Sequence, residues 1–302
     1  MRDERLDMSN DFQRVLASSL IAGLFGASFT LWPTSGAEPA AIPNFSPDSH
    51  TGWIAGDPDG ENPVGQDFLP PENGPGPVTN DPAHPHFDDG AARRIGKQPT
   101  FRVADLTNPI LQPWVKRALQ QANERALSGK PDFTPKERCW PIGVPGWVLY
   151  PVRPVYFLQS PHEVVLIWEE DHMVRRIYLT DRHSARVNLS WFGESIGHYE
   201  NGDTLVVDTI GLNDKTFVDS YRTPHTSKLH VVERYRIVDE GKALDVSVHV
   251  EDPGAFTTPW NARQRYRRST DGPQVESACA ENNTAWFGYT VEAIPQADKP
   301  DF

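Results

Sequence analysis

Trp191-Phe-Gly-Glu-Ser-Ile-Gly-His-Tyr-Glu-Asn-Gly-Asp-Thr-Leu-Val-Val-Asp208, then a long polar segment, then Leu229-His-Val-Val-Glu-Arg-Tyr-Arg236, is the stretch on which the fold turns. Two alternating runs separated by Asn201-Gly202 form the strongest short-range signal for a hairpin with a type I′ turn. Counting outward from that turn predicts Glu200 opposite Asp203, His198 opposite Leu205 and Ile196 opposite Val207, with Tyr199, Val206, Asp208 and Ile210 on the other face. Residues 229–238 and 243–252, joined through Gly241, predict a second hairpin. Leu229, Val231, Tyr235 and Ile237 share one face with Leu244, Val246, Val248 and Val250; Arg236 meets Asp245 and His230 meets Glu251 on the other. Glu233 falls in the apolar set. A carboxylate pointing inward loses hydration and must keep its proton or find a partner; it is a candidate acid or base, and an inward arginine is the structural alternative.

Outward from these hairpins, residues 148–158, 163–168, 173–179 and 260–268 also alternate, with turn signals between them. Eight short strands with local connections predict a mainly β fold, an antiparallel up-and-down β-barrel of about eight strands, lipocalin-like; a β-sandwich is the alternative. Asn108-Pro109 predicts the start of one helix carrying the stripe Leu111, Trp114, Val115, Leu119, Ala122, Leu127. The loop 211–227 holds Asn213, Asp214, Lys215, Asp219, Tyr221, Arg222 and His225. Its length predicts a lid or a binding loop.

The 302 residues include 28 prolines and carry a net charge of −12. Such an acidic surface disfavours nucleic acid and anionic lipid. Residues 1–37 hold an apolar run from Val15 to Trp32 and then Ser35-Gly36-Ala37, as in a signal peptide, with a retained anchor as the alternative; this predicts a periplasmic or secreted protein. Residues 38–101 are rich in Pro, Gly, Asp and Asn and predict an extended arm with Trp53, Ile54, Phe68 and Phe87 as anchors. Residues 102–302 are the helix-plus-barrel domain. Cys139 and Cys279, the only two cysteines, fit one disulfide in an exported chain.

The motifs Gly193-Glu-Ser-Ile-Gly-His-Tyr-Glu200, Gly202-Asp-Thr-Leu-Val-Val-Asp-Thr209, Asn213-Asp-Lys-Thr216, Pro224-His225 and Leu229-His-Val-Val-Glu-Arg234 resemble a widespread group of exported bacterial proteins of unknown function. Asp252-Pro253, Pro259-Trp260 and the closing segment from Cys279 resemble it as well. The resemblance implies a bacterial, exported protein and no particular chemistry.

The chemistry read from the residues is acid–base catalysis inside the barrel. Glu233 is the buried acid or base, with Asp208 or His198 as its counterpart. Asp214, Lys215 and His225 form a lid, and Trp191, Tyr199, Tyr235 and Trp260 stack a small cyclic substrate, a sugar or an aromatic compound. Hydrolysis, elimination and isomerisation all fit, with no organic cofactor. A metal set of His225, His230 and Glu233 is not expected to converge. Gly193-x-Ser195-x-Gly197 leads into a strand, unlike a nucleophile elbow. A non-catalytic small-ligand-binding barrel and an envelope interaction protein are the alternatives.

Overall fold

The computed structural model describes residues 42–48, 51–56, 58, 67–87, 100–149, 153–269, 272–279, 285–286 and 289–290. The leader call on residues 1–37 lies outside the described residues, as does most of the segment after Cys279. Nine strands close a barrel in sequential order. They are β1 (Trp53–Ala55), β2 (Val155–Gln159), β3 (Glu163–Trp168), β4 (Met173–Tyr178), β5 (Glu194–Glu200), β6 (Thr204–Ile210), β7 (His230–Val238), β8 (Ala243–Glu251) and β9 (Trp260–Arg268). A separate two-stranded ribbon pairs β10 (Ala285–Trp286) with β11 (Tyr289–Thr290).

The expected count of eight becomes nine because the arm supplies β1, which pairs antiparallel with both β2 and β9 and closes the wall. Chain direction must return to itself around a closed wall, so the number of antiparallel junctions is even. With nine strands at least one junction has to be parallel. It falls between β4 and β5, where Ile177 pairs with Ser195 and Tyr178 with Ile196, across the crossover 179–193.

The arm is therefore part of the body along the segments described. Trp53 is fully buried, donates its indole N–H to the Phe45 carbonyl at 2.9 Å, and carries the Arg268 guanidinium 3.6 Å over its ring. Phe45 stacks on Phe157 at 4.8 Å. Each such side chain, fully buried, stabilises the fold by about 1.5–3 kcal/mol.

The β7–β8 register follows the alternation: Arg236 opposes Asp245, His230 opposes Glu251, and Glu233 opposes Val248 on the inner face. The β5–β6 register is displaced by one residue from the expectation, with Glu200 opposite Thr204, His198 opposite Val206 and Ile196 opposite Asp208. Asn201 and Gly202 do take positive φ (53° and 73°), and the Asp203 amide donates to the Glu200 carbonyl, as the turn requires. Asp203 and Thr204 then lie together against Glu200, a bulge that shifts every later pair. Asp203 reaches Arg236 at 3.0 Å, so the two carboxylates at the turn do not confront each other.

Two local expectations change. The strand expected from residue 148 starts only at Val155; Gly146–Leu149 forms a short helical turn, α2, against the barrel end, where the inward Tyr266 hydroxyl donates to the Val148 carbonyl. The long helix, α1, spans Pro113–Leu127 with Pro113 at its start, and buries Val115, Leu119, Ala122 and Ala126. Asn108 instead accepts the Ile110 N–H in a local turn that precedes the helix. Cys139 and Cys279 are bonded, with Cα atoms 5.5 Å apart. By chain entropy, a loop of this size stabilises by up to about 4–5 kcal/mol.

Candidate functional site

Glu233 is fully buried inside the barrel, as its place in the alternation of β7 requires. It is not a free acid. Arg175 projects inward from β4 in the set Met173, Arg175, Ile177, and its two terminal nitrogens grip both carboxylate oxygens of Glu233, one at 2.9 Å. The Tyr235 hydroxyl donates to Glu233 at 2.9 Å. Arg175 also donates to Ser195 Oγ and Thr209 Oγ1, which lie 2.9 Å from each other. Burial opposes the guanidinium charge, but Glu233 beside it outweighs that cost and holds the Arg175 pKa above its ordinary value. Burial, and next the Glu233 charge, push the Tyr235 phenol well up. Ser195 is spent in this network within β5, which removes the nucleophile-elbow reading. Beside the network, a void lined by Trp53, Trp147, Phe157, Tyr235 and Tyr266 offers about 10 Å³ for a water centre, room for about one water.

Asp208 lies on the outer wall. The bulge in β5–β6 pairs it with Ile196 and Val232, back to back with the inner Val207 and Glu233. One oxygen meets His183 Nε2 at 2.7 Å and the other His230 Nε2 at 2.9 Å. The chain of contacts continues on both sides. His183 Nδ1 meets Glu194 at 3.0 Å; His230 Nδ1 lies 3.6 Å from Glu251, which meets His249 Nε2 at 2.9 Å, and His249 Nδ1 meets Asn261 at 2.8 Å. The His230 hydrogen bond, opposed by partial burial, holds the Asp208 carboxyl below the usual range; reciprocally, Asp208 holds His230 above it. Glu251 is held low chiefly by His249. Alternating imidazoles and carboxylates thus cross the outside of β5 to β9. Both oxygens of Asp208 and both ring nitrogens of His183 are engaged within this row.

The remaining residues of the expected site separate. His198 stands on the outer wall with a 61% exposed side chain beside Glu200 at 3.2 Å, away from Glu233. Tyr199 turns inward and accepts from Gln159. Trp260 is buried edge-on between Phe68 and Phe256, each at 5.9 Å. Asp214 and Lys215 are exposed. Trp191 lies 5.4 Å from Trp140, and Lys215 Nζ sits 5.9 Å over the Trp191 ring, so two members of the set do meet at the surface.

The loop 211–227 is a packed plug, not a flap. Leu212, Thr216, Val218, Asp219, Tyr221, Thr223 and His225 are all buried. His225 meets Thr216 Oγ1 at 2.8 Å and the Thr226 carbonyl at 3.0 Å, and burial lowers its pKa. One Asp219 oxygen accepts the Tyr221 and Thr223 amides, while burial pushes its pKa up to about 6. His225, His230 and Glu233 point three separate ways, and among the described residues no His/Cys/Asp/Glu cluster has the arrangement of a metal site. Sequence reasoning missed Arg175 and His183. The alternation Met173, Arg175, Ile177 carried the first; nothing local carried the second, which sits in the crossover. Compared with family models, curated proteins and solved structures, the chain matches none.

Proposed function

We propose that this chain is a non-catalytic binding protein of the bacterial envelope, which meets its ligand or partner outside a barrel that serves as scaffold. The observation that carries this reading is the pairing of Glu233 with Arg175: the interior acid is neutralised, fully hydrogen-bonded and left with about one water's space beside it. A small cyclic substrate does not fit that void. The sequential strand order supports a lipocalin-like comparison of form, with the interior filled by the chain's own side chains.

Export belongs to the same proposal. It is supported by the apolar run before Ser35-Gly36-Ala37 and by the Cys139–Cys279 bridge, which suits an oxidising compartment. The resemblance of the Gly202–Thr209 and Leu229–Arg234 motifs to a group of exported bacterial proteins supports it too. The test is incubation of the purified chain with sugars and aromatic compounds, read by thermal shift and by product mass. Binders are expected to raise the melting temperature and to be recovered unchanged; at 100 times its Kd a ligand adds about 2.7 kcal/mol. Conversion of any compound that disappears in Asp208→Asn overturns the reading, because Asp208 with its two imidazoles is the group best equipped for proton transfer.

A further inference from the structure

Arg138 is 93% buried, with 7% relative exposure, yet its Nε and Nη2 have no hydrogen-bond acceptor. These two nitrogens form one edge of the guanidinium, with parallel N–H bonds that match the two oxygens of a carboxylate. Elsewhere the chain fills that edge: Arg125 presents Nε and Nη2 to the two oxygens of Asp132. The deeper Arg175 is likewise matched by Glu233. A buried guanidinium edge without an acceptor is unfavourable, and burial lowers the Arg138 pKa.

The surroundings are aromatic and cationic. The Arg138 guanidinium lies 3.1 Å over the Phe133 ring and 4.8 Å over that of Trp140. Trp140, 39% exposed, stands at 47° to Trp191, whose ring carries Lys215. The disulfide at Cys139 fixes the backbone between Arg138 and Trp140.

We propose that this corner is a binding site for a small aromatic carboxylic acid: the carboxylate takes the Nε/Nη2 edge of Arg138, and the ring stacks on Trp140 and Trp191 beside Lys215. The inference rests on the binding-protein reading and supplies its ligand class. A flat ring is favoured because the side chains around the edge are aromatic, with Trp140 partly exposed, and an anion because the unpaired donor is a guanidinium and the Lys215 ammonium lies over the neighbouring Trp191 ring. Entry displaces the side chains that cover the edge, and Trp140, 39% exposed, is the more exposed of the two aromatic rings beside Arg138. Its fluorescence reports the event.

The experiment titrates the full, disulfide-bonded chain with benzoate, benzamide and acetate, following tryptophan fluorescence and heat. Benzoate is expected to saturate the signal, and benzamide and acetate to bind at least about tenfold more weakly, since each lacks either the charge or the ring. Arg138→Lys keeps the charge but loses the edge, and should weaken benzoate by about tenfold or more. Lys215→Ala, at an exposed position, should weaken it by about threefold. If Arg138→Lys fails to give the wild-type near-ultraviolet spectrum, Trp191→Ala and Lys215→Ala decide: weaker benzoate binding sustains the site and unchanged binding overturns it. Absence of benzoate binding, or equal binding of acetate, also overturns it. Benzoate bound through Arg138 but chemically converted would defeat the non-catalytic reading and leave the site standing.

Discussion

Asp208 and Glu233 sit on neighbouring strands, on opposite faces of one wall, and meet opposite fates. Inside, Glu233 and Arg175 are both fully buried and locked together with Tyr235, Ser195 and Thr209. Outside, Asp208 shares two partly buried imidazoles in a row of groups able to exchange protons. The lesson is that desolvation, rather than residue type, assigns the roles. An acid in the core must be neutralised by a fixed partner, whereas the same acid on the wall can stay titratable. The interior pair is thus structural, and the titratable groups lie on the outer face of the wall.

The largest way to break this comparison is to remove one interior partner. Arg175→Met or Glu233→Gln alone is expected to cost about 3–5 kcal/mol in urea unfolding, because an unpaired charge remains buried. Arg175→Met combined with Glu233→Leu should cost less than either single change. Additive costs would mean that the pair is not the unit described.

Asp219 sharpens the comparison, because it is an interior acid with amide donors but no arginine. Its folded pKa of about 6 exceeds the ordinary 3.8, so between these values the folded chain binds more protons than the unfolded one. Stability should therefore fall by about 3 kcal/mol as pH rises from about 4 to 6 and beyond. Asp219→Asn should remove that dependence. A slope that persists unchanged in Asp219→Asn assigns it to another group.

On the wall, effects should be smaller. Asp208→Asn is expected to cost below about 1 kcal/mol, since its side chain is about a third exposed. The contribution has a window. The lowered Asp208 pKa makes it present above about pH 4 and lost as pH falls through the folded value; the raised His230 pKa makes it fade as pH rises above about 6.5. Proton NMR of His230 should show its pKa dropping toward about 6.5 in Asp208→Asn. An unmoved His230 titration would contradict the contact. His198→Ala, at a mostly exposed position, should change stability by no more than about 0.5 kcal/mol.

Much of this contrast was legible in residue order. The β7–β8 register and the inward face of Glu233 followed from unbroken alternation either side of Gly241. The β5–β6 register slipped by one because Asn201-Gly202 reports the turn but not the bulge at Asp203. That slip put the right carboxylate, Asp208, beside the wrong neighbours. The lid expected from loop length proved to be packed, because Leu212, Val218 and Tyr221 bury what composition presented as a polar segment.

By itself, the sequence determined the face of each strand residue, since side chains alternate with period two, and the positions of turns, since Gly and Asn tolerate positive φ. Only the tertiary structure decided which inward residue met which. Arg175 reaches Glu233 across 58 positions, β1 joins the wall from the arm, and one junction runs parallel. Those choices depend on closing a ring of nine strands, a non-local condition that periodicity along one strand does not encode.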